Sequence, residues 1–484
     1  MKKISIILIL VILFISITTA SPVKIISENK IPKSNPKYFP KSIKYSDWKP
    51  AQAIHMLAPD FLSFTIDADT GFKVWRLGGS AEEMGKALTY PNGNDNITLT
   101  HAQHYYSQTN PTNLSETYIL GSAGRYKPFA ALWRLKDKKL VAWVPSPNPE
   151  SDIAQRQLLW DKNNNNIYWY CSANQLVKIE LNLTTYTYKS TVWDTFPQFE
   201  NITFGLGSGN FSDDGSRIVL IGKPVDHKTS DDKIILSYIV NKKNIIATKK
   251  IKEVNGVTLD WAGVDPTGNY IVFNDPSKGN STWVLPFNLK GTPRILYKNT
   301  KHSDFVIDKN HKAWIVFGNW QGIFASKLET DKLKRIWPKL DTLDSEKYDG
   351  SQFTLPSGES ASGHISRVSS RNGVILLSRN EDGGLYFINI NQPEKSSYIG
   401  NTRHGKRPIN HPLSKAAWGV DSHGEIVSSD GGKDYYREPR ATASSSGRYI
   451  FFVSDYHFYG TKYDSNPTPK AYLNMIELNY ESIK

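Results

Sequence analysis

The chain has a single cysteine among 484 residues. A disulfide framework is therefore excluded, and the fold must be held by its apolar core. That residue, Cys171, lies beside the strand-like run Ile167-Tyr168-Trp169-Tyr170, which predicts a buried, inert thiol and argues against a cysteine nucleophile. The spacings of several common catalytic centres are also missing. No HxH or HExxH is present, and His101 with His104 would share a metal only on a helix, which the surrounding pattern does not support. A nucleophile elbow is missing too, because Gly205-Leu206-Gly207-Ser208-Gly209 carries its serine in the wrong position. The sequence specifies no cofactor and leaves room for a structural or catalytic divalent cation. A pair of glycosidase carboxylates stays open, with Glu359, Asp382, Glu438 and Asp455 as the acidic candidates.

Acidic residues are in deficit, 46 against 59 Lys and Arg, for a formal charge of +13. Such a balance favours anionic partners. Long apolar runs are scarce as well. One runs from Ile4 to Ile17 behind Lys2 and Lys3, ends at Thr18-Thr19-Ala20, and is shorter than the ~20 residues a spanning helix needs. A basic start, a short apolar centre and small residues at the exit make residues 1–20 an expected secretory signal cleaved near Ala20. The expectation is a secreted or periplasmic monomer with no stable membrane insertion after cleavage. Its partner is then an acidic polysaccharide or oligosaccharide, and not nucleic acid.

What the chain has in quantity is aromatic side chains, 12% of residues, and these favour pleated, half-buried strands. Residues 21–60 read as an irregular arm, and residues 61–484 as the folded unit. Phe61–Gly79 holds two short strands around an Asp69-Thr70-Gly71 turn, and Ser80–Thr100 reads as a loop. A phrase then recurs in which a polar turn leads into an apolar strand. It stands at Asn110–Gly121, Trp160–Cys171, Phe211–Gly222, Val264–Asp275, Ile307–Gly318, Ser369–Asn380 and Ser444–Asp455, seven copies in all. Further β-type runs follow each copy, as in Ile234–Val240 with Ile245–Ile251. Four strands in every ~40–50 residues is the mark of a propeller blade. The last copy supplies only three strands, at Arg440–Ser445, Tyr449–Val453 and Ala471–Leu478, and the early segment Phe72–Leu77 is left to complete it. The chain is thus expected to be all-β, a seven-bladed β-propeller closed by an N-terminal strand in its last blade. Residues 80–99 and 338–361 are expected as connections and 400–436 as a long excursion.

Propeller geometry sorts residues by face. Those just before each first strand and just after each second strand converge on one surface, and the repeated turns lie on the other. His101, His104, His302, His364, His227 and His457 fall on the first surface, whereas His311 sits in a repeat turn. Arg125, Tyr126, Trp320, Arg367 and Arg440 are placed with them, and Tyr106 follows His104 closely. A cationic, aromatic, His-rich funnel suits a chain of sugar acids, because Arg pairs bidentately with carboxylates and His titrates near neutrality. β-Elimination from a uronic acid uses all of these groups: a cation neutralises the carboxylate, one side chain removes the adjacent proton and another protonates the leaving oxygen. The expected roles are His104 as base or carboxylate neutraliser, Tyr106 as acid or base and His364 as second neutraliser. Arg125 and Arg440 bind the carboxylate, and His101, Tyr126, Trp320, Arg367 and His457 complete the binding face. The alternative is a non-catalytic propeller that recognises protein or glycan through the same face.

The phrases EPRATASSSGRYIFFVSD and HYYSQTNPTNLSETYILG resemble the blades of secreted WD40-like propellers. Among these the chain is similar to the propeller polysaccharide lyases of the oligogalacturonate and ulvan lyase type, over about residues 100–478. The resemblance implies a catalytic role for His104 in HYYSQTNPTN and a His/Tyr elimination. Oligogalacturonate lyases carry a metal-binding, histidine-rich motif at the last inner strand, where this chain reads Glu438-Pro439-Arg440. The second histidine of the ulvan enzymes has no counterpart here, and Arg125-Tyr126 occupies its region.

Overall fold

A computed structural model describes residues 59–67, 70–91, 107–122, 129–147, 157–207, 209–226, 232–252, 259–275, 281–298, 302–319, 322–330, 332–337, 340–344, 363–379, 383–393, 397–402, 440–454 and 472–478. The expected signal segment and nearly all of the expected arm lie outside these residues.

Seven antiparallel sheets follow one another along the chain, each an up-and-down blade. Blade two is typical, with strands Leu159–Trp160, Ile167–Ser172, Gln175–Asn182 and Thr187–Thr195 paired in sequence order. The fold is the expected seven-bladed β-propeller. Its closure is also as expected: Lys73–Arg76 pairs with Tyr472–Glu477, with Val74 opposite Ile476 and Trp75 opposite Met475, so the two ends of the chain share blade seven.

Strand alternation explains why the blades stack. Successive side chains point to opposite faces, so Ile119 packs toward blade seven while Leu120, its neighbour, packs toward blade two. Repeated around the ring, this gives seven buried apolar clusters among the described residues, one at each interface between blades. Cys171 is fully buried in one of them, and burial pushes its thiol well up, as an inert core cysteine requires.

The repeated turns are built by local chemistry. In blade four the Asp265 carboxylate accepts from Tyr270 N at 2.7 Å and Thr267 N at 2.9 Å, and Asp265 N donates to Tyr270 O. Gly215, Gly268, Gly373 and Gly447 take φ of 70° to 78° there, the left-handed region where a Cβ is costly. Glu116 and His311 adopt it in blades one and five. Glu116 has a reason to stay, since its two carboxylate oxygens accept from Ser446 N and Ser446 Oγ, both at 2.6 Å, and join blade one to blade seven.

Two expected connections differ. Within residues 80–99, Ala81–Ala87 is a helix opened by a capping box: Ser80 accepts from Glu83 N while Glu83 accepts from Ser80 N. Within 338–361, Leu340–Asp344 adds a fifth strand to blade five. Phe64–Ile66 likewise adds a fifth to blade seven. No helix among the described residues is long and apolar enough to cross a membrane.

Candidate functional site

The first strand of each blade runs along the central channel from one face, called here the inlet face, to the face of the repeated turns. Blades five, six and seven bring three of the expected groups to the inlet end. His302 precedes the inner strand Ser303–Ile307, and His364 is the second residue of the inner strand Gly363–Arg367. Their rings meet across the blade boundary, with centroids 4.1 Å apart and planes 30° from parallel. His302 is exposed while His364 is fully buried, so the pair runs from solvent into the wall. Gly363, which precedes His364, lets the first two strands of blade six pack closely, because a Cβ there would lie 2.0 Å from Ser378 O.

Arg440 holds the equivalent place in blade seven. Val368 N bonds Val374 O and Ser444 N bonds Tyr449 O, so the two turns correspond, and His364 and Arg440 each stand four residues ahead. Arg440 is buried and takes φ 40°, a backbone state that the surrounding structure must hold in place. Arg379 adds a second buried guanidinium in the same region: it ends the second strand of blade six opposite Gly363, and its guanidinium lies 6.0 Å from the Tyr386 ring. Among the described residues no three His, Cys, Asp or Glu side chains converge as metal ligands.

Arg367 was expected on this face and is found at the other end. It closes the inner strand of blade six, and its guanidinium grips Asp213 in the repeat turn of blade three through two bonds of 2.6 and 2.7 Å. The strut crosses the channel mouth on the turn face. His101, His104, Tyr106, Arg125, Tyr126, Trp320 and His457 lie outside the described residues.

Beneath the Arg367–Asp213 strut lies a polar cavity of about 40 Å³. Its lining includes Lys162, Asp304, Asn110, Asn210 and Ser369, and all seven blades contribute. Sequence reasoning missed Asp304 and Lys162, since one sits in an apolar inner strand and the other in a turn that looked inert. Asp304 is 6% exposed and accepts from Phe305 N and Arg367 N, both at 2.7 Å. Burial pushes its carboxyl up to about 7, while those N–H groups and the charges of Arg367 and Lys162 pull it down. Burial also lowers the Lys162 ammonium, against the attraction of Asp213 and Asp304.

An unfolded carboxyl titrates near ~4, so the folded chain holds the Asp304 proton more tightly than the unfolded one. The associated stability is complete below about pH 4 and is lost as pH rises through about 7. Asp304→Asn cannot ionise, so the urea midpoint of the wild type is expected to fall relative to this variant between pH 5 and pH 8. A constant difference between the two proteins across that range contradicts the assignment.

No family model matches the chain, and no curated protein matches it. Solved structures share its architecture. An oligogalacturonate lyase in complex with manganese aligns at TM-score 0.50 and 13% identity, covering 87% of this chain and 96% of that one. The WD40 domain of Pan2 from Neurospora crassa aligns at TM-score 0.45 and 10% identity, covering 84% and 96%. At these identities the likeness is one of fold.

Proposed function

We propose that this chain is a secreted or periplasmic propeller that binds acidic polysaccharide at the inlet end of its channel and cleaves it by β-elimination at uronic acid residues. The observation that supports the reading is the His302–His364 ring pair at the inlet end, with Arg440 at the equivalent place of the next blade. The surplus of 13 positive charges draws a polyanion to it.

In this reading Arg440 and Arg125 hold the uronate carboxylate, and the His364 pair adds positive potential as the neighbouring C–H is ionised. His104 or Tyr106 removes the proton from C5, the electron pair forms the C4–C5 double bond, and the bond from C4 to the glycosidic oxygen breaks. The departing oxygen takes a proton from the other member of the pair.

The lyase of similar fold is described with manganese. The described residues here do not fit such an ion. His302 and His364 supply two imidazoles at most, and Arg440 brings a positive charge to the corresponding place in the next blade.

The test is a panel of uronate polymers incubated with the purified protein, followed by ultraviolet absorbance of the unsaturated product. Product from at least one polymer is the expected result. Binding across the panel without product removes the lyase reading and favours the non-catalytic alternative, and absence of binding removes both.

A further inference from the structure

The cavity at the turn face takes no part in that reading, yet it is built like a binding site. Lys162 reaches into it from the repeat turn of blade two, and among the described residues its ammonium makes no hydrogen bond or ion pair. Other donors there are only partly used. Asn110 gives one amide N–H to Ser445 Oγ at 2.9 Å, and Asn210 gives one to Gln108 O, which leaves each a second N–H. Ser369 contributes a hydroxyl. The Ser366 and Thr442 hydroxyls, 3.0 Å apart, satisfy each other and Thr109 O, and form a closed floor.

The carboxylate acceptors are committed instead, and Gln108 Oε1, buried in the lining with no hydrogen-bond partner among the described residues, is a spare acceptor outnumbered by the spare donors. Both Asp213 oxygens accept from Arg367, and both Asp304 oxygens accept from backbone N–H groups. A lining with spare donors around an uncommitted ammonium selects an anion. The room, about 40 Å³, is enough for about three waters or one small planar anion.

We infer that this cavity binds one small monocarboxylate anion, of formate or acetate size, held by Lys162, Ser369 and the amides of Asn110 and Asn210. Charge decides when it binds. Lys162 and Arg367 balance Asp213 and an ionised Asp304, so the site is neutral when Asp304 is charged and cationic when Asp304 is protonated. Asp161 behind Lys162, and His302 and His364 further up the channel, are the other titratable neighbours. Binding is therefore accompanied by proton uptake that rises from about a tenth of a proton at pH 6 to about nine-tenths at pH 8, and the affinity is expected to fall about tenfold over that range, as the protonated fraction of a group titrating near 7 does.

Isothermal titration of formate into the intact protein, in two buffers of different ionisation enthalpy at equal ionic strength, reads both the affinity and the proton uptake. Saturable binding at pH 6, about tenfold weaker at pH 8, with proton uptake small at pH 6 and approaching one at pH 8, and loss in Lys162→Ala, is the expected result. Lys162 lies in a turn, and Lys162→Ala should retain the far-ultraviolet spectrum and the uronate-polymer activity of the wild type. No saturable binding at pH 6, binding unchanged in Lys162→Ala, or chloride binding as tightly as formate overturns the proposal, and none of these bears on the inlet face.

Discussion

Replacing His104 by alanine is expected to lower the elimination rate on a uronate polymer by about 10²- to 10⁴-fold, the usual worth of a positioned general base or acid, while the dissociation constant stays within a few-fold. Replacing Arg440 by alanine is expected to act differently and weaken binding itself by about 10- to 100-fold, since a charge-assisted contact to a carboxylate is worth ~1.5–3 kcal/mol. The difference lies in what each group does. A proton-transfer group acts only as charge develops, whereas an arginine facing a carboxylate acts in the bound state as well. Arg440→Lys keeps the charge and loses the fork, so it should fall between wild type and alanine. Initial rates across a substrate series, with binding measured separately on the slow His104→Ala protein, distinguish the two. Equal losses of turnover and affinity in both variants would falsify the division of roles, and no loss in either would remove the inlet face from the chemistry.

The parts of this molecule that were legible in its sequence are those made by local rules. A turn such as Asp265-Pro266-Thr267-Gly268 carries its own hydrogen bonds, so seven such turns announced seven blades before any contact was known. The capping box from Ser80 to Glu83 was equally local and was overlooked, because polar Gly- and Asn-rich neighbours made the segment look like loop. The site was harder to read, and Arg367 shows why. It follows His364 by only three residues, but a strand advances ~3.3 Å per residue, so those residues carry the chain ~10 Å down the channel to the other face. Asp213, its partner, is 154 positions away in sequence, and no spacing rule relates them. Asp304 was invisible for a related reason: its carboxylate is held by backbone N–H groups of blades five and six, which only the closed ring brings together.

The ring closure makes the largest stability prediction. Val74 is fully buried where blade seven meets blade six, packed in one cluster with Val368, Leu385, Phe387, Ile450 and Ile476. Val74→Asp would place a charge there without a partner, for which ~3–5 kcal/mol is the customary cost, a large share of the ~5–15 kcal/mol available to a folded protein. Lys73, one residue earlier, points outward and is exposed, so Lys73→Asp in the same strand should shift the urea midpoint little. Strand alternation alone separates the two substitutions. If blade seven were complete without its N-terminal strand, both variants would melt alike and near wild type. A collapse confined to Val74→Asp therefore reports that the early strand is a working part of the ring, as its pairing of Val74 with Ile476 requires.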